Sequence, residues 1–256
     1  MKRLFYAIAI FAGILLTLVI YTPASWLDYG LQRVSEQGLG IGNPSGSLWR
    51  GSGTLQAILP RGEAVTISPV SWKIQVGELL TGRLHLIMLS GQGGKPLLDA
   101  SLTPTSISLR DLNLELPAAL LGIVSPTLRD ADPAGSMTLH STEFMVDGLH
   151  NTGTFNVRWQ DAGLSLSRVR PLGNYVIVVI GKDDGLDLRL MTLKGDLNLI
   201  GTGNWKAGKK PDLDIKATPS ADKREDLAPL LRILGHETSP GTYQLRIYQS
   251  ISAAKG

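Results

Sequence analysis

The sequence predicts a mainly-β protein: a single N-terminal transmembrane helix followed by a curled antiparallel β-sheet domain with one or two short helices. Three observations carry this prediction. An uncharged apolar run fills residues 4–21. Beyond it, apolar residues recur two apart, as they do along one face of a strand. Short clusters of glycine, proline and aspartate punctuate these alternating stretches, as hairpin turns do.

The apolar run comes first. As an α-helix, Leu4 to Tyr21 spans roughly 25 Å, enough for a thin bilayer core. Tyr6, Tyr21 and Trp26 lie near its ends, where amphipathic rings favour the headgroup layer. Lys2 and Arg3 precede the run and no comparable cluster follows it closely. This bias places residues 1–3 in the cytoplasm and residues 22–256 across the membrane. A cleaved signal peptide is the competing reading. Its apolar region is ordinarily about 7–15 residues and ends in a small-x-small site. Here the run is longer, and Tyr21-Thr22-Pro23-Ala24-Ser25 lacks a small residue at the required offset. The residues favour a retained anchor, and either reading exports the domain.

Composition narrows the chemistry. The net charge of +3 is too slight to argue for nucleic acid, and basic residues such as Lys209-Lys210 come only in pairs. With no cysteine, disulfide scaffolds, thiol catalysis and thiolate metal sites are excluded. His85, His140, His150 and His236 form no HxH or HxxxH pair, so a local zinc motif is absent and no cofactor is expected.

The strands follow in order. Val65 and Ile67 give way to Val70, Trp72, Ile74 and Val76, with a change of face at Ser68-Pro69 that a bulge or strand break requires. Leu84, Leu86 and Met88 come next. Ile107 and Leu109 pass to Leu112, Leu114 and Leu116, again one residue out of phase, around Asp111. Phe155, Val157 and Trp159 precede a Leu164–Leu166 alternation and the continuous run Tyr175 to Ile180. Leu186 to Leu190, Leu197 to Trp205, Leu213 to Ala217 and Tyr243 to Tyr248 close the series. Turns are expected at residues 91–94, 132–135, 161–163, 183–185 and 206–208. Two short helices are expected, over 117–124 with Pro117 in the first turn and over 222–234 with Gly235 as its stop. Pro229 argues for a start of the second helix at Asp226.

No segment carries catalysis. Gly91-Gln92-Gly93-Gly94-Lys95 lacks phosphate-loop spacing. Gly181-Lys182-Asp183-Asp184-Gly185 lacks calcium-loop spacing. No G-x-S-x-G elbow is present. Asp222, Glu225 and Asp226 read as helix-dipole partners. His85 reads as a partly buried, hydrogen-bonded side chain. An enzyme is not expected.

One resemblance extends over most of the chain. Asn43 to Gly53, with Gly46, Leu48, Trp49 and Gly51, is similar to the early signature of the type II secretion system protein N family. Val70 to Ile74, with Trp72, and Leu79 to Leu84, with Gly82, resemble its second block. Arg170 to Tyr175, with Pro171, Leu172, Gly173 and Tyr175, and Leu230 to Gly235 resemble later ones. The resemblance implies a non-catalytic, single-pass protein of the Gram-negative cell inner membrane with residues 22–256 in the periplasm. It implies other secretion-machinery proteins as partners. The signature residues also have structural readings, with Trp49 and Trp72 as core aromatics on strands and Gly46, Gly51 and Gly53 at bulges or close crossings. Strands apolar on both faces, such as 84–89 and 175–180, also resemble AsmA-like envelope proteins. That similarity keeps lipid open as an alternative partner.

Overall fold

The computed structural model describes residues 21–245 apart from 60, 61, 92, 125, 148, 149, 207, 208, 210 and 211. The expected anchor lies outside the described residues, apart from Tyr21. Among the described residues, no helix is long and apolar enough to cross a membrane.

The described residues are mainly β, as the alternation predicts. Strands β1 (Leu39–Gly46), β2 (Arg50–Ile58), β3 (Ala64–Ile74), β4 (Leu84–Ser90), β5 (Pro96–Leu102), β6 (Ile107–Pro117) and β7 (Ala134–Val146) form a meander. It continues through β8 (Thr152–Gly163), β9 (Gly173–Lys182), β10 (Gly185–Gly195), β11 (Leu197–Lys206) and β12 (Asp212–Pro219), and ends in β13 (Gly235–Ser239) and β14 (Thr242–Leu245). All lie in one sheet in sequence order, except that β14 sits between β12 and β13. Every recorded pairing is antiparallel, as short turns between consecutive strands require.

Both expected changes of face have a backbone cause. The β2–β3 register slips between Leu55 and Gln56, opposite Thr66 to Ser68. On β6 the register with β7 is unbroken, and Asp111 instead takes φ 46°. That left-handed residue turns Leu112, Leu114 and Leu116 back to the face that Leu109 occupies.

The helices are more numerous than the one or two expected. They are α1 (Ser25–Val34), α2 (Val76–Leu79), α3 (Leu121–Val124), α4 (Pro126–Asp130) and α5 (Arg224–Leu234). The sequence reading missed α1 because its charged and aromatic residues hide a narrow apolar stripe of Leu27 and Leu31. The α5 helix starts at Arg224, after one 3-10 turn, rather than at Asp226. Pro229 lies on its exposed side, where the carbonyl it leaves without a donor meets water. The helix ends at Leu234 with Gly235 as its stop, as expected, and Gly235 also begins β13. Two further expectations are corrected. Leu164 to Leu166 is a loop with Leu164 buried, and residues 161–163 are a bulge inside β8 with Asp161 at φ 49°.

Two cores lie on the sheet. One gathers Ile41, Leu55, Val70, Trp72 and Met88 against Leu27 and Leu31 of α1. The other gathers Leu172, Tyr175, Leu197, Ala217 and Tyr243 against Leu227, Leu230 and Leu231 of α5. Between them Ala57 and Ile67 pack with Leu114, Leu116 and Leu120. Side chains of β2 and β3 meet those of β6 only if the sheet bends between them, which is the expected curl.

Candidate interaction surfaces

The first group of signature residues converges on one indole. Gly46 takes φ +92° and turns the chain out of β1. Ser47 N–H donates to the Arg50 carbonyl at 2.9 Å, closing the turn. In that turn the Leu48 carbonyl accepts the Trp72 Nε1–H at 3.1 Å. Gly51 lies opposite Trp72 in the ladder, against the ring itself. Trp72 is 2 % exposed, a core aromatic as expected. Trp49 differs from the expectation: it sits in the bend between β1 and β2 and is only half-buried. The same turn holds the start of the domain, because Leu48 N–H donates to the Thr22 carbonyl at 2.9 Å.

The second group completes a strand end. The β10–β11 ladder stops at Met191–Ile200, leaving the first residues of β11 without a backbone partner on that side. Leu172 supplies an acceptor there: its carbonyl takes Leu197 N–H at 3.1 Å and Asp196 N–H at 2.9 Å. Tyr175 supplies the donor, its hydroxyl bonding the Leu197 carbonyl at 3.0 Å. Burial, then the nearby Asp196 carboxylate, push the Tyr175 phenol far above its usual range, so it stays a donor. A Cβ at Gly173 would meet the Lys194 carbonyl at 2.7 Å, so only glycine allows this approach. Pro171 is exposed and follows a cis peptide bond from Arg170. Gly82 belongs to neither group: it holds φ +75° in the open turn after α2.

A third constellation surrounds His85, where the expected hydrogen-bonded histidine is found. Its Nδ1 lies 3.1 Å from Glu78 Oε1 and its Nε2 2.9 Å from Asp99 Oδ1. Burial works against the imidazolium, but the two carboxylate bonds outweigh it and raise the His85 pKa. Arg83 Nη1 stands 3.8 Å from Glu78 Oε2. Glu78 and Asp99 were not singled out in the sequence. They sit seven residues before and fourteen after His85, so no local spacing joins them. The antiparallel register does, since it puts Asp99 opposite Ile87, two residues beyond His85.

The outer face of β9 also matters. Val176 stands opposite Met191, and Met191 opposite Ile200, with the last two exposed. This gives the two-sided apolarity read from residues 175–180 a place on the outer surface.

The family model for type II secretion system (T2SS) protein N matches residues 37–246. This chain belongs to the type II secretion system protein N family. No curated protein and no solved structure matches it. The matched span opens just ahead of β1 and closes just past β14, so it takes in the whole sheet and both clusters of signature residues. Membership makes the chain a component of type II secretion and points to an envelope location. It also gives the compactness of the clusters a reading. The family blocks hold a turn and a strand end in place.

Proposed function

We propose that this chain is a non-catalytic, single-pass inner-membrane component of the type II secretion system, involved in export of folded proteins across the outer membrane. Residues 1–3 lie in the cytoplasm, 4–21 in the membrane and 22–256 in the periplasm. The observation that carries the secretion role is the family match across residues 37–246.

The topology draws support from α1 as well as from the uncharged run before it. Leu27 and Leu31 pack under the sheet, whereas Trp26 and Tyr29 are 63 % and 60 % exposed. The Arg33 guanidinium sits 5.7 Å from the Tyr29 ring centroid. Two aromatics and a cation on an outward helix face, a few residues after an apolar span, suit the headgroup layer. In this reading α1 lies between the membrane and the sheet.

The partners are other proteins of the secretion machine, met in the periplasm, and nucleic acid is not among them. The family match does not favour the AsmA-like alternative of lipid handling. The test is a pair of fusions after Ser252. Alkaline phosphatase there is active and a cytoplasmic fluorescent reporter is dark, while the opposite pattern removes the topology and the periplasmic role together.

A further inference from the structure

The strands β3 and β6 each have eleven residues, but the β4–β5 hairpin between them has strands of seven. Pairing of β3 with β4 begins at Val70–Ser90, and pairing of β5 with β6 stops at Asp99–Arg110. Past those pairs, residues 64–68 of β3 pair only with β2, and residues 112–117 of β6 only with β7, although Pro96 to Leu98 of β5 still pair with β4. The two bare edges border one notch of about 610 Å³, with Thr66, Ile67, Leu97, Asn113, Leu114 and Glu115 in its lining.

The hydrogen-bonding groups on these edges follow from the ladders. Leu59 N–H donates to the Glu63 carbonyl across the β2–β3 turn. Alternation from that bonded pair leaves the N–H and C=O groups of Ala64 and Thr66 directed away from β2. On β6, the Thr103–Ser106 bond fixes Ser108 and Arg110 as the residues that bond β5. Asn113 and Glu115 share their outward face, so their backbone groups point into the notch. Among the described residues, no turn or loop bond takes up the backbone groups of Ala64, Thr66, Asn113 or Glu115.

We propose that this notch takes an extended segment of a partner protein as an added strand. Unpaired N–H and C=O groups in alternation are matched by another strand and by little else. The hairpin falls four residues short of its neighbours, which sets the length of the insert. Strands β3 and β6 run in opposite directions, so a single strand is antiparallel to one of them, and β6 offers the longer bare edge. Ile67, Leu97 and Leu114 line the inward side and Thr66, Asn113 and Glu115 the outward side. The segment therefore alternates apolar and polar residues, with a basic residue beside Glu115. That the donor belongs to the secretion machine rests on the function proposed above, whereas the notch itself can be tested apart from it.

The probe is the peptide acetyl-Val-Lys-Val-Thr-Val-amide, added to the full chain in detergent micelles while amide hydrogen exchange is followed. In the free protein the Thr66, Asn113 and Glu115 amides exchange faster than the ladder-bonded Val65 amide, and the peptide slows them by at least about tenfold. A peptide with proline as its central residue gives no protection. Glu115→Lys shifts the preference to a peptide with glutamate in place of lysine. Slow exchange of these amides in the free protein, no change on adding peptide, or equal protection by the proline peptide would each overturn the proposal. Protection by the peptide together with unimpaired secretion in a deletion strain would leave the notch standing and remove the secretion role instead.

Discussion

Gly51 and Trp72 face each other across the β2–β3 ladder so closely that a Cβ on Gly51 would fall 2.4 Å from the indole Cζ2. The ring has no room to yield, because its Nε1–H is held by the Leu48 carbonyl in the adjoining turn. Gly51→Ala is therefore expected to cost about 1–3 kcal/mol by overpacking. Urea denaturation measures it, and an unchanged midpoint would mean that the indole is not clamped.

The two signature tryptophans are expected to differ. Trp72→Ala empties a core site and should cost roughly 3–5 kcal/mol. Trp49→Ala acts on a half-buried side chain in a bend and should cost less than half as much. Equal losses in chemical denaturation would contradict the placement of Trp49 outside the core.

The His85 clamp predicts a pH dependence with a definite sign. Its pKa is raised by folding, so the folded state holds the proton more tightly than the unfolded state. The stabilisation is fully present below the unfolded value near pH 6.5 and is lost as pH rises through the folded value. Denaturation midpoints of the parent protein and His85→Gln should differ most below the unfolded value and converge as pH rises through the folded value. A gap that widens with rising pH would contradict the clamp.

Tyr175→Phe removes the donor that satisfies the Leu197 carbonyl in the second core. A loss of about 1–3 kcal/mol is expected from the unpaired buried acceptor. Leu231→Ala on α5, at a fully buried position, should cost roughly 2–5 kcal/mol. If Tyr175→Phe proves neutral, the strand-end role of Tyr175 fails while the core assignment of Leu231 stands.

Much of this fold was legible because alternation is a direct consequence of the pleat. Val70, Trp72 and Ile74 alternate in sequence and are buried together. Elements decided by distant partners were not legible. The α1 helix depends on β1, where Asp28 Oδ1 accepts the Ile41 N–H at 2.7 Å, and β13 depends on β14. The signature residues were recognisable as a set, but their grouping was not. Leu48 meets Trp72 from 24 positions away and Tyr175 meets Leu197 from 22, through registers that no local spacing encodes. The notch between β3 and β6 arises from a difference in strand lengths, which blurred strand ends conceal in a sequence.

Helix exchange probes the anchor alone. Replacing residues 4–21 by an unrelated transmembrane helix should preserve secretion, since Gly13 is the one glycine in that run and no GxxxG pair is present. Loss of secretion with normal membrane insertion would show that the segment does more than hold the domain.

The most direct measurement is the fate of secreted enzymes in a strain lacking this chain. Folded enzymes are expected to accumulate in the periplasm there, and the full-length chain to restore their release. Normal secretion in that strain, with phospholipid bound to the purified protein, would contradict the secretion role.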